Sequence, residues 1–174
     1  MTDESAKRRF RDVVLPHLDG AYSLAKWLSA SSADAEDIVQ EAALRALAAL
    51  EATTPLRPRA WWLSVVRNTA LTWMKRNRPN RLAYVGDLDD LDALDVGEGP
   101  PDPEALLIKR DEGERVRRAI AALPSPLRET LVLREIDDLD YREIAAATEA
   151  PIGTVMSRLA RARSALARML GPMK

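Results

Sequence analysis

The chain of 174 residues has no cysteine, which excludes disulfides, thiolate catalysis and cysteine-based zinc sites. It has a single histidine, His17, too few for a histidine metal site or a histidine-dependent catalytic triad. Long apolar runs are missing too. The longest stretch free of charge runs from Ala119 to Leu127, far short of the roughly 20 residues that cross a bilayer as a helix. Met1 to Phe10 lack the apolar core of a signal peptide. Strand signals are nearly absent, because no β-branched run alternates with polar residues. What remains is the expectation of a soluble, cytoplasmic protein with no catalytic residues, no metal and no cofactor.

The net charge of −1, from 26 basic and 27 acidic residues, hides a division. Residues 1–82 carry 13 basic and 9 acidic side chains, residues 83–114 carry 2 and 11, and residues 115–174 carry 11 and 7. The three segments are therefore +4, −9 and +4. Two basic modules flank an acidic connector, a pattern that an overall pI near 5.9 conceals. The connector, about 82–102, is rich in Asp with Gly and Pro punctuation and has no helical period. It reads as a flexible linker between domains 1–81 and 103–174. A solvated spacer is the plain reading. The other is an acidic strip that mimics nucleic acid and occupies a basic channel on a partner.

Helical spacing dominates both flanks and predicts an all-α protein. Helices are expected near 3–29, 33–51, 58–78, 103–122, 126–136, 141–148 and 152–170. Ser125 followed by Pro126 suits an N-cap and first helical position. Asp140 to Glu143 has capping-box spacing.

Tyr141 to Arg163 reads as a short helix, a tight turn and a longer helix, the helix-turn-helix pattern. On the second helix Val155, Leu159, Ala162, Leu166 and Leu170 form an apolar stripe. Thr154, Ser157, Arg158, Arg161, Ser164 and Arg168 lie largely opposite. A helix fits the DNA major groove and reads base edges with residues near its N-terminus. Thr154, Ser157 and Arg158 are therefore base-contact candidates, with Arg161 and Arg163 nearer phosphates. The solvated face of an amphipathic helix is the alternative for the same arginines.

Ala122-Leu-Pro through Arg128-Glu, then Leu133-Arg-Glu, Tyr141-x-Glu-Ile-Ala and Pro151-x-Gly-Thr-Val-x-Ser-Arg-Leu-x-Arg-Ala-Arg163 together resemble region 4 of a bacterial sigma factor of the extracytoplasmic-function group. The resemblance implies that Arg128, Thr154, Ser157, Arg158, Arg161 and Arg163 hold the duplex −35 promoter element. Two residues depart from the family. Glu149 stands at a turn position usually held by glycine, and Met156 stands where many members have lysine.

The first module carries a second pattern. In Asp34 to Arg45, the residues Asp37, Gln40, Glu41 and Arg45 share one helical face, and Ala35, Ile38, Val39, Ala42 and Ala46 fill the other. Further on, Trp62, Val66, Ala70 and Trp73 follow helical spacing inward. Arg67, Asn68, Thr72, Lys75, Arg76 and Arg78 make a basic surface beside aromatic residues, which suits single-stranded DNA. A plain core role is the alternative for Trp61 and Trp62. The first string resembles region 2.2 of the same sigma group, and the Trp61 to Asn68 spacing resembles regions 2.3 and 2.4. By that resemblance Asp37, Gln40 and Glu41 dock on the clamp coiled coil of the polymerase β′ subunit. Arg57, Arg59, Trp61, Arg67, Asn68, Thr72, Lys75, Arg76 and Arg78 serve the −10 element, with Arg57 and Arg59 beside the loop that receives a flipped base. Thr72 replaces an acidic residue common in the family.

The implied function is a promoter-specificity subunit of RNA polymerase, contacting the β′ and β subunits and promoter DNA, and held in check by an anti-sigma factor. Two other readings are a sigma-like mimic that sequesters an anti-sigma protein and a stand-alone helix-turn-helix regulator. The sigma reading expects Arg67 and Arg158 to face solvent in the uncomplexed molecule, and the isolated chain to bind promoter DNA poorly.

Overall fold

The computed structural model describes residues 3–79 and 112–171. The acidic connector 82–102 and the start of the helix expected from 103 lie outside the described residues.

The described residues form eight α-helices and one 3-10 turn. The long helix expected over 3–29 is divided into α1 (Asp3–Val13), a 3-10 turn (Leu15–His17) and α2 (Leu18–Ser29). Pro16 is the reason. Inside a helix its ring lacks the N–H for the ladder and collides with the preceding turn. α2 ends where Ala30 adopts φ 57°, its N–H returning to the Lys26 carbonyl. Ser31 then caps α3 (Ser32–Ala49) by accepting from the Asp34 N–H. α4 (Pro58–Asn77) begins on Pro58, whose fixed φ suits a first helical residue.

After the undescribed segment come α5 (Glu112–Ala122), α6 (Ser125–Glu135), α7 (Tyr141–Thr148) and α8 (Ile152–Leu170). Pro124, rather than Ser125, holds the N-cap of α6, so Ser125 is already helical. α7 has the expected capping box, with Asp140 Oδ1 accepting from the Glu143 N–H at 2.8 Å and Glu143 Oε2 accepting from the Asp140 N–H at 2.9 Å. Glu149 closes α7 at φ 54°. Holding a residue with a Cβ in this left-handed region costs about 1–2 kcal/mol.

α2, α3 and α4 pack on one another with α1 across them, and α6, α7 and α8 form a second unit joined by α5. The two units are not apart. α2 lies against α6 and α4 lies against α7, and one continuous buried cluster runs from Trp62, Leu63 and Val66 through Leu127, Leu131 and Ile144 to Val155 and Leu159. No helix among the described residues is long and apolar enough to cross a membrane.

Candidate nucleic-acid and polymerase faces

α3 buries Ala35, Ile38, Ala42 and Ala46 and turns Asp37 and Gln40 to solvent. Glu41 is half-buried because it is shared, at 2.5 Å from Arg45 and 3.2 Å from Arg76 of α4. One residue of the basic surface, Arg76, is thus drawn beside the acidic face. Arg78 extends the link to the foot of α3, 3.7 Å from Asp34. The sequence reading missed Leu44, which follows Gln40 by one turn and is 71% exposed. An apolar side chain beside Gln40 and Glu41 completes a face with an oily centre and a polar edge, the usual build of a protein interface. Its signal was its position, one turn beyond the polar set.

On α4, Trp62, Val66 and Ala70 are fully buried and Trp73 is partly so, as their spacing predicts. Trp61 is half-buried against the core. Arg57, Thr72, Lys75, Arg76 and Arg78 are exposed, and Arg59 and Asn68 are half-buried. The Thr72 hydroxyl donates back to the Asn68 carbonyl at 2.9 Å.

On α8, Val155, Leu159 and Ala162 are buried, and Ser157 and Arg163 are exposed. Thr154 and Arg161 are half-buried. Arg163 is held by Glu135 at 2.6 Å. Ile152 and Met156 add exposed apolar surface to the first turn of this helix.

Arg67 and Arg158 contradict the expectation of open faces. Their side chains are only 14% and 12% exposed. Arg67 donates through Nε and Nη2 to both oxygens of Glu129 on α6, at 2.8 and 3.0 Å. Nη1 of Arg158 stands 3.9 Å from the same carboxylate. The expectation failed because it treated the two basic modules as separate heads. Packing α4 on α7 and α2 on α6 turns the inner sides of both DNA-directed surfaces toward each other. Burial pulls the Arg158 guanidinium below its ordinary pKa, with Glu129 opposing and Arg67 adding to the shift.

Arg128 has the same fate. Its Nη1 donates to the Trp27 carbonyl of α2 at 3.1 Å and its Nη2 to the Leu123 carbonyl at 2.7 Å. In this state it is a strut between the units. Further along the seam, Arg57 stands 3.9 Å from Asp140. Asp137, 3% exposed, lies under the influence of Arg59, and burial pushes its carboxyl up to about 7 against the pull of that cation. Glu129, Asp137 and Asp140 were missed as partners, since nothing periodic in the sequence marks a contact between elements so far apart.

Comparison with known proteins adds to this geometry. The family model for sigma-70 region 2 matches residues 13–79, and that for sigma-70 region 4 matches residues 113–166. The chain is 34% identical over 148 residues to the ECF RNA polymerase sigma-E factor of Escherichia coli K12, covering 82% of this chain and 76% of that one. It is 32% identical over 165 residues to the ECF RNA polymerase sigma factor SigE of Mycolicibacterium smegmatis, covering 94% and 62%. A sigma factor RpoE solved in complex with the anti-sigma factor NepR, from Bartonella quintana, shares the fold at TM-score 0.67 and 24% identity, over 92% of this chain and 96% of that one.

Proposed function

Since the chain belongs to the sigma-70 family, in its extracytoplasmic-function group, we propose that it directs core RNA polymerase to promoters and assists opening of their DNA. The observation that carries this reading is the pairing of two regions in order. An acidic α3 face with exposed Asp37 and Gln40 precedes a basic α4, and a helix-turn-helix follows.

In this reading residues 1–81 dock on the β′ clamp through Asp37, Gln40 and Glu41 and capture the non-template strand of the −10 element. The residues for that capture are Arg57, Arg59, Trp61, Arg67, Asn68, Thr72, Lys75, Arg76 and Arg78. Residues 103–174 hold duplex −35 DNA through Thr154, Ser157, Arg158, Arg161 and Arg163, with Arg128 joining them once it leaves α2, and they meet the β subunit. The linker 82–102 spans the two. At full extension its 21 residues reach about 70 Å, so polymerase sets the spacing. Opening DNA costs about 1.4 kcal/mol per base-pair step. Each captured base returns roughly 1–3 kcal/mol by stacking, so one or two captured bases nucleate the bubble.

An anti-sigma factor is the regulatory partner in this reading. Its support is the fold shared with a sigma factor that was solved in complex with an anti-sigma factor. The protein acts in the cytoplasm, with polymerase, and contributes specificity rather than catalysis. Against a mimic that never touches DNA stands the retained set Arg67, Arg76, Arg158 and Arg161.

Run-off transcription with core polymerase on genomic fragments tests the proposal. Start sites that appear only when the chain is added, with a common pair of upstream elements, are the expected result. Core polymerase that neither binds the chain nor changes its start sites would overturn it.

A further inference from the structure

The surfaces assigned to the two promoter elements face each other in the free chain, and carboxylates fill the seam. Glu129 accepts two hydrogen bonds from Arg67 and also neighbours Arg158. Asp140 neighbours Arg57. Three arginines thus meet two carboxylates, which belong to α6 and to the turn that follows it. Anionic groups set against a row of arginines are what a nucleic-acid backbone presents.

We infer that Glu129 and Asp140 are an internal stand-in for the promoter strand: an acidic edge of the C-terminal unit that occupies Arg57 and Arg67 and draws Arg158 off its recognition surface. The inner sides of both DNA surfaces then stay shut until the units part. This inference rests on the proposed DNA roles of those arginines.

The acidic edge is built by its own unit. Arg134 donates to the Leu139 carbonyl at 2.9 Å and lies over the Tyr141 ring. The capping box fixes Asp140. The edge therefore needs no help from α4 to take shape.

The seam itself is incompletely satisfied. Nε and Nη1 of Arg158 are buried without a hydrogen-bond partner, and so is Oδ2 of Asp137. Asp138, between two of the acidic residues, holds φ 54°. One carboxylate serves two guanidiniums, which leaves a positive charge in a place that water scarcely reaches. A buried pair of this kind holds its partners in register but gains little against the loss of hydration. Phosphates offer each guanidinium its own bidentate partner. The contact is thus of a type that DNA and polymerase together can displace.

The absence of native cysteine allows a clean test on the full chain. Ala48→Cys and Ser164→Cys, both at exposed positions in different units, carry spin labels for distance measurement. Three backgrounds are compared: the parent, Asp140→Asn, and Glu129→Gln/Asp140→Asn. Asparagine keeps an N-cap at 140, so the single variant folds even if the double does not. Binding of mixed-sequence single-stranded and duplex DNA is read by fluorescence anisotropy, with core polymerase binding measured in parallel.

Removal of the carboxylate charges is expected to lengthen the label distance and to raise affinity for both DNA probes about tenfold, with core binding unchanged. The single variant moves the same way by less. A double variant with the parent's distance, or one that opens without gaining DNA affinity, overturns the inference. So does an Asp140→Asn chain indistinguishable from the parent where the double variant fails to fold. Absence of core binding in the parent would instead count against the proposed function, while the distances still report on closure.

Discussion

Oδ1 of Asp137 lies 3.2 Å from the point that a Cβ on Gly20 would occupy. The first turn of α2 and the turn between α6 and α7 therefore approach to a distance that glycine alone meets without displacement. Gly20→Leu should act as a wedge. Leucine favours helix over glycine by up to about 1 kcal/mol, so α2 itself is not weakened. The expected outcome is a larger radius of gyration by solution X-ray scattering with helical content unchanged. An unaltered radius would show that the seam yields locally and does not govern closure.

The same aspartate makes closure sensitive to pH. Its carboxyl is raised to about 7 in the closed chain by burial, with Arg59 opposing. Its contribution to the closed state is therefore fully present below the ordinary aspartate range and is lost as pH rises through about 7. His17, held below its ordinary value by burial and by Arg59, acts in the opposite direction. Its contribution is present above about 6.5 and is lost as pH falls. The aspartate's contribution falls away from the ordinary aspartate range up to about pH 7 and does not change above it. Relative to Asp137→Asn, the label distance in the parent should lengthen over that interval and level off above it. A parent whose distance ignores pH would place the proton elsewhere.

Glu41 bridges Arg45 and Arg76 on the proposed polymerase face. Glu41→Arg exchanges two attractions for two repulsions at a partly hydrated site, where each exposed pair is worth about 0–1 kcal/mol. Thermal unfolding should shift by only a few degrees, whereas core polymerase binding should fall at least about tenfold, as expected for reversed charge at an interface. A collapse in melting temperature would assign Glu41 to the fold instead.

Glu149→Gly relieves the left-handed position at the end of α7. The gain in the folded state exceeds the extra freedom of glycine in the unfolded chain, leaving a net stabilisation of about 1 kcal/mol. Calorimetry should register a higher melting temperature. A lower one would mean that the Glu149 side chain makes a compensating contact.

Much of the helical architecture was legible because its signals are local. α7 and α8 span Tyr141–Thr148 and Ile152–Leu170, as the helical spacing and the Asp140–Glu143 box predict. The break at Pro16 was lost because apolar spacing continues on both sides of it and suggested one helix. Closure was not legible at all. Arg67 and Glu129 are 62 positions apart, and no repeat or spacing links them. In α6, Glu129, Thr130, Leu131, Val132 and Leu133 are consecutively buried, which only the folded chain reveals. A helix covered on several sides needs more neighbours than its own unit supplies, and α2 is the missing one. The polymerase face was half legible, since its charged residues share a helical side while Leu44 reads equally well as core.

The most direct test is a footprint on one promoter fragment with the chain alone and with the chain bound to core polymerase. The account predicts protection of both upstream elements in the second case and none in the first. Specific protection by the polymerase-free chain, or none even with core polymerase present, would contradict it.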